Sequence, residues 1–197
     1  MKKQDIIDFF DSLAPWWDEE QIRSDEIIGR ILDGAEVGPG KAVLDVACGT
    51  GVLFPDYLAR SVGSLTAIDI APEMVRIARE KFPEVNVLCG DVEEVDFGRK
   101  FDCIVIYNAF PHFPEPARLI ERLSGLLNPG GTLTVAHGMS RVALDVHHSG
   151  SASRVSEPLL SEHALAAIFR RHLRLTVKIS DDRMYQITGR AMSTDSA

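Results

Sequence analysis

Cysteine is scarce in this chain. Three residues in 197, Cys48, Cys89 and Cys103, lie far apart with no C-x-x-C pair. That argues against a disulfide framework or a structural zinc site, and no metal is expected. Each sits in or beside an apolar run and reads as a small buried hydrophobe in a reduced compartment. Long apolar runs are also missing. The opening "MKKQDIIDFFDSL" is interrupted by Asp5, Asp8 and Asp11. It reads neither as a signal peptide nor as a membrane span, so no stable membrane insertion is expected and the cytoplasm is the expected location. Positive charge is in deficit, with 21 Lys and Arg against 29 Asp and Glu, a net charge of −8. Nucleic acid and anionic membrane both present phosphate, so neither is an expected partner. No internal repeat or low-complexity tract is visible, and nothing here sets the oligomeric state.

What is present suits one soluble domain. Hydrophobic residues make up 45% and charged residues 25%, both ordinary values. From Lys41 onward, short apolar runs alternate with helical patterns: "AVLDVA", "LTAIDI", "VNVLCGD", "FDCIVIYN" and "GTLTVAH" are separated by "PDYLARSV", "PEMVRIAREKF" and "PARLIERLSGLL". Continuous apolar strands between helices predict a parallel sheet covered on both faces. The chain closes with "RLTVKIS", the turn "DD" and "RMYQITGRA", a pair joined so tightly that it must be antiparallel. The predicted division is a helical cover over 1–40, a ligand-binding core over 41–137, a linker over 138–160, and a last helix and hairpin over 161–197. Ser161 is the expected N-cap of that helix.

"VLDVACGTG", Val43 to Gly51, carries the chemistry. In open α/β sheets, ligands bind beyond the carboxyl ends of the strands. Asp45 is placed near such an end. Gly49 and Gly51 allow a sharp turn and a close ligand approach. Two common glycine loops are disfavoured. G-x-G-x-x-G fails because Phe54 stands where the third glycine belongs, and the Gly-Lys-Ser/Thr of a P-loop is absent. A carboxylate beside the loop repels a pyrophosphate but suits a ligand bearing an ammonium and no phosphate.

At this point the sequence resembles the class I S-adenosylmethionine-dependent methyltransferases, chiefly the quinone-ring and other small-molecule members. "VLDVACGTG" is similar to their first motif, with Ala47 where glycine is common. "AIDIAPEM" resembles the second, which implies that Asp69 accepts the ribose hydroxyls while Ile70 and Met74 pack on the adenine. "CGDVEEVDF" resembles the third, implying that Asp91 meets the adenine amino group and Val92 offers an amide. "FDCIVIYNAFPHF" and "LLNPGGTLTVAH" resemble the fourth and fifth. Asn108 then ends the fourth strand where methyl and acceptor meet. "NAFPHF" departs from the Asn/Asp-Pro-Pro-Tyr/Phe of base methylases, which points away from nucleic acid. The resemblance implies a Rossmann-like, seven-stranded, mostly parallel sheet with an antiparallel last strand and helices on both faces. It also implies S-adenosylmethionine as cofactor.

"FFDSLAPWWD" resembles the family's N-terminal Phe-Asp-x-x-Ala…Tyr-Asp element, with Trp17 for tyrosine. It is either a cover over the cofactor, with an aromatic face near the sulfonium, or a helix packed at the sheet edge. His112, His137, His147 and His148 are candidate bases. The linker is polar and rich in small residues; Arg141, His147 and His148 can present charge or a proton acceptor there, and it is expected to wall the acceptor pocket with His147 or His148 contacting substrate. The expected function is methyl transfer to a small molecule through an O, S, N or C nucleophile. A non-catalytic S-adenosylmethionine-binding sensor or partner subunit is the alternative, and an NAD-dependent oxidoreductase a weaker third.

Overall fold

The computed structural model describes residues 2–20, 23–148 and 154–192; at 20 and 145–148 it describes the backbone alone. Seven strands form one sheet in the order β3-β2-β1-β4-β5-β7-β6. They are β1 (Ala42–Val46), β2 (Ser64–Asp69), β3 (Asn86–Cys89), β4 (Phe101–Tyr107), β5 (Leu127–His137), β6 (Arg174–Ser180) and β7 (Tyr185–Arg190). β1 pairs in parallel with both β2 and β4, and β4 with β5. The closing hairpin inserts β7 antiparallel between β5 and β6. Strand order therefore reverses between β1 and β4, the crevice in which such sheets hold ligands.

The pleat sends alternate residues of each strand to opposite faces. In β1, Leu44 and Val46 join Ile104, Ile106 and Leu133 beneath α6 (Pro116–Gly125) and α8 (Glu162–Phe169). Val43 joins Cys103 and Val105 on the other face, under α3 (Asp25–Gly34), α4 (Phe54–Ala59) and α5 (Pro72–Lys81). Both faces are covered, which is why the strands carry continuous apolar runs. Ser24 caps α3 through the Ile27 amide. Ser161 caps α8 through the Ala164 amide, as its sequence position predicts.

The N-terminal segment comprises α1 (Lys3–Leu13), a 3₁₀ turn (Ala14–Trp16) and the short α2 (Trp17–Glu20). It lies over α5 and is fastened by polar contacts. α5 begins at Pro72 after an Ala71 that offers no capping side chain. Asp11 of α1 supplies the cap from outside, its Oδ1 accepting the Glu73 amide at 2.9 Å. Asp18 accepts from Thr50 Oγ1 at 2.5 Å and from Lys81 Nζ at 2.6 Å. Each contact ties the segment to an element bounding the crevice.

Asp11→Ala removes the side-chain acceptor of the Glu73 amide in the first turn of α5. The expected loss is about 1 kcal/mol of stability, the usual worth of an N-cap. Hydrogen exchange over 3–20 should also speed up, and unchanged exchange there would show that Asp11 does not fasten the segment.

Candidate active site

At the end of β1 the chain leaves the sheet through residues in the left-handed region: Ala47 at φ +55°, Gly49 at +55° and Gly51 at +89°. The Gly51 amide closes the turn on the Cys48 carbonyl at 3.0 Å. The neighbouring β2 ends at Asp69, which is 9% exposed. Its Oδ2 accepts the Gly49 amide at 2.8 Å and its Oδ1 the Ala71 amide at 2.9 Å. Burial pushes the Asp69 carboxyl above the usual carboxylate range, opposed by the amides of Ala71, Gly49 and Ile70. Each oxygen retains capacity for a further donor.

A cleft of about 970 Å³, counted out to its open mouth, lies over these strand ends. Ala47, Gly49, Asp69, Ile70, Met74, Asp91, Val92, Asn108, Trp17 and His112 all line it. The structure thus gathers ten of the sequence-derived positions into one site. Asp91 follows β3; its Oδ1 accepts the Glu93 amide at 2.9 Å, and its carboxylate pairs with Lys3 of α1, which also reaches Glu94 at 2.9 Å. Asn108 sits at φ +54°, and its Oδ1 accepts the Gly138 amide at 2.9 Å, holding the ends of β4 and β5 together. His112 Nδ1 lies 2.7 Å from the Val155 carbonyl. A carbonyl only accepts, so Nδ1 carries the proton there and Nε2 holds the lone pair of the neutral ring.

Other expectations require correction. Asp45 does not line the cleft. It shares the Val43 side of the pleat and is 2% exposed, packed towards Tyr57 of α4. Burial, then the Asp69 charge, pushes its carboxyl well above the usual range, with Tyr57 opposing. It is therefore a buried carboxyl behind the loop, harder to ionise than a free one. Gly51 does not line the cleft either; a Cβ there would meet the Phe54 ring at 2.7 Å. Its lack of a side chain serves the packing of Phe54 rather than ligand approach. His137 is fully buried against Tyr185 and away from the cleft.

The described part of the linker adds to the core. It forms α7 (Arg141–His148), and Leu144, Val155 and Leu159 are buried in the main core. Core building, which its composition seemed to oppose, is part of its work. It reaches the site indirectly, through Val155 on His112 and the Glu157 amide on the Pro111 carbonyl at 2.8 Å. Arg141 does not line the cleft. The side chains of His147 and His148 lie outside the described residues.

Sequence reasoning missed Lys3, Phe10, Tyr107 and Phe113, which also line the cleft. Helical spacing marks Phe10 as apolar, and the N-terminal motif contains it. Neither signal says which side of α1 faces a ligand.

Residues 43–131 match the methyltransferase domain family. A ubiquinone biosynthesis O-methyltransferase of Xanthomonas campestris is 34% identical over 147 residues, covering 66% of this chain and 59% of the relative. The chain thus spans about three fifths of the length of such curated relatives. The N-methyltransferase NodS of Bradyrhizobium japonicum, solved with S-adenosylhomocysteine, superposes with a TM-score of 0.72 at 14% identity, over 94% of this chain and 97% of that one. Over residues 43–131 this is a methyltransferase domain. Magnesium protoporphyrin IX methyltransferase of Synechocystis, also solved with S-adenosylhomocysteine, shares the fold at a TM-score of 0.71 and 16% identity, over 96% of this chain and 100% of its own. Among the described residues, no helix is long and apolar enough to cross a membrane.

Two substitutions test the loop of this methyltransferase domain. Ala47 holds a conformation that costs a Cβ-bearing residue about 1–2 kcal/mol. Glycine removes that strain but gains freedom in the unfolded chain. Ala47→Gly should therefore stabilise by about 0.5–1 kcal/mol, or about 1–4 °C in Tm; a fall in Tm would contradict the strain.

Asp45→Asn tests the buried proton. The folded carboxyl is harder to ionise than the unfolded one, so wild-type stability falls as pH rises from about 4 towards the folded pKa. Asparagine does not titrate. The variant's stability relative to wild type should rise as pH increases above the unfolded carboxylate value of about 4 in denaturant titrations. A difference that does not change with pH would show that Asp45 is not held protonated.

Proposed function

We propose that this domain binds S-adenosylmethionine in the cleft and transfers its methyl group to a small-molecule acceptor. One observation carries the reading: the Gly49 amide is already given to the Asp69 carboxylate. A dinucleotide needs such loop amides for its pyrophosphate. Here the loop presents a carboxylate instead, which suits a ligand with hydroxyls and a positive charge.

In this reading Asp69 accepts the ribose hydroxyls, Asp91 and the Val92 amide read the adenine edge, and Ile70 and Met74 pack on its faces. Ala47 and Gly49 border the amino acid end. Asp45 acts from behind, by packing under the loop. The bound cofactor supplies an electrophilic methyl; the chain supplies alignment and exclusion of water. On the acceptor side, Phe10, Ala109, Phe113 and Pro114 make an apolar wall. Lys3 is the cation among the lining residues, and Asp91 and Glu94 engage it. An uncharged acceptor with an apolar body fits that wall. The relatives named for ubiquinone biosynthesis support a hydroxyl as its nucleophile. His112 Nε2 is then the atom that takes the hydroxyl proton, in a ring oriented by Val155.

Calorimetry provides the test. S-adenosylmethionine and S-adenosylhomocysteine should bind and NAD should not. Asp69→Ala should weaken cofactor binding by about 1–3 kcal/mol, because it removes a charged acceptor. Asp69→Asn, which keeps one acceptor oxygen, should lose less. Unchanged affinity in a folded Asp69→Ala protein would remove this residue from the site, and NAD binding would overturn the reading.

A further inference from the structure

His112 is gripped by one short stretch of the linker. It ends the 3₁₀ turn Phe110–His112 that follows β4, and it lines the cleft. Its Nδ1 lies 2.7 Å from the Val155 carbonyl oxygen and 3.3 Å from Ser156 Oγ. The next residue adds a third contact, the Glu157 amide donating to the Pro111 carbonyl at 2.8 Å. Three successive linker residues thus clasp two successive residues of the turn. Val155 and Leu159 are buried, which anchors the clasp on both sides in the chain. No described residue of the linker lines the cleft. Its described part therefore reaches an acceptor through the His112 ring.

The two oxygens at Nδ1 have different powers. A hydroxyl donates or accepts, so Ser156 alone would allow the ring proton on either nitrogen. A carbonyl only accepts, and Val155 places the proton on Nδ1. Ser156 Oγ then faces the same N–H as a second, longer acceptor. One acceptor fixes a distance, whereas two on adjacent residues also fix the direction of the N–H.

We propose that Ser156 is a positioning residue for methyl transfer: with the Val155 carbonyl it keeps the proton of neutral His112 on Nδ1, so that Nε2 receives the acceptor's proton. This rests on the proposed function, in which His112 is the base. In the step, the acceptor O–H bond breaks and its proton passes to Nε2. An oxygen electron pair forms the bond to the methyl carbon, and the sulfur–carbon pair stays on sulfur. The ring becomes an imidazolium, and its Nδ1–H then carries part of the charge. Oxygens that accept from this N–H favour the charged ring over the neutral one. Lys3, Asp69, Asp91 and Glu93 share the cleft with the ring, and Glu115, Arg118, Arg154 and Glu157 lie on the segments beside it. All of them are unchanged in Ser156 variants, so a difference between variants reads the hydroxyl.

The test is nitrogen NMR of the intact protein with labelled histidine, His112→Gln assigning the signals and circular dichroism checking the fold. Neutral wild-type His112 should show a protonated Nδ1 and a bare Nε2. In Ser156→Ala it should titrate about 0.3 to 1 pH unit lower, the effect of losing one weak hydrogen bond to the charged ring. Ser156→Thr keeps the hydroxyl and should restore the wild-type titration. Methyl transfer from labelled S-adenosylmethionine to a small-molecule cell extract supplies the second readout. A base works only when neutral, so the acidic limb of the pH–rate profile should move to lower pH by the same amount in Ser156→Ala, and the plateau should fall. Cofactor affinity should stay within about twofold. A proton on Nε2 in neutral wild type, or equal titration of wild type and Ser156→Ala, would overturn the proposal. A slower variant with an unmoved limb would overturn it too, because that shows a packing role. If wild type transfers no methyl while His112 still shows the expected proton position and shift, the proposed function fails, and the positioning role falls with it.

Discussion

The Gly49 amide and the Asp69 carboxylate, 2.8 Å apart, tie the first loop of the sheet to the end of its neighbouring strand. The rest of the site depends on that tie. It can form because β1 and β2 run in parallel register, with Val46 opposite Ile68, so both chains leave the sheet at one level. Left-handed residues at 47, 49 and 51 then turn the chain back into α4. The same carboxylate accepts the amide of Ala71, just before α5. One buried acid thus fixes the floor of the cleft from both sides and makes it carboxylate-lined rather than phosphate-binding.

The N-terminal segment completes the enclosure. Its aromatic side chains sit over the floor, and its acids reach the start of α5, the glycine loop and Lys81. Lys3 reaches the carboxylate after β3. Cover and floor are therefore coupled by charge and hydrogen bonds as well as by the apolar cluster of Ala14, Ala71 and Met74, on which Phe10 and Trp17 pack. Apart from the buried Thr50 and the largely buried Asp91, the coupling groups are exposed or half-exposed, so their ion pairs contribute modestly to stability. Their geometric effect is larger, since they place two aromatic rings at the centre of the cleft.

Much of this was legible in the sequence. Alternating apolar runs and helical patterns gave the parallel sheet, and the two-residue turn after Ser180 gave the closing hairpin. Asp69 and Asp91 were marked by the family resemblance, and both line the cleft. Asp45 misled because both faces of a parallel sheet are apolar. Sharing a face with Val43 was readable, but which face the cleft opens on was not. Gly51 misled because its reason lies three residues on, in the ring of Phe54. The linker hid Leu144, Val155 and Leu159 among polar residues with no period. Their burial is set by where the chain passes, which no local pattern encodes. Lys3 pairs with Asp91 only because the fold brings α1 beside the end of β3, which no local pattern encodes.

The central claim is that the cleft moves a methyl group. The direct measurement uses S-adenosylmethionine labelled in its methyl carbon, mixed with the protein and a small-molecule extract of cells that carry it. The account predicts that label appears in a small, largely apolar molecule, and that Asp69→Ala greatly slows its appearance. Saturable binding of S-adenosylmethionine with no label transferred to any component would contradict it and leave a binding protein in place of an enzyme.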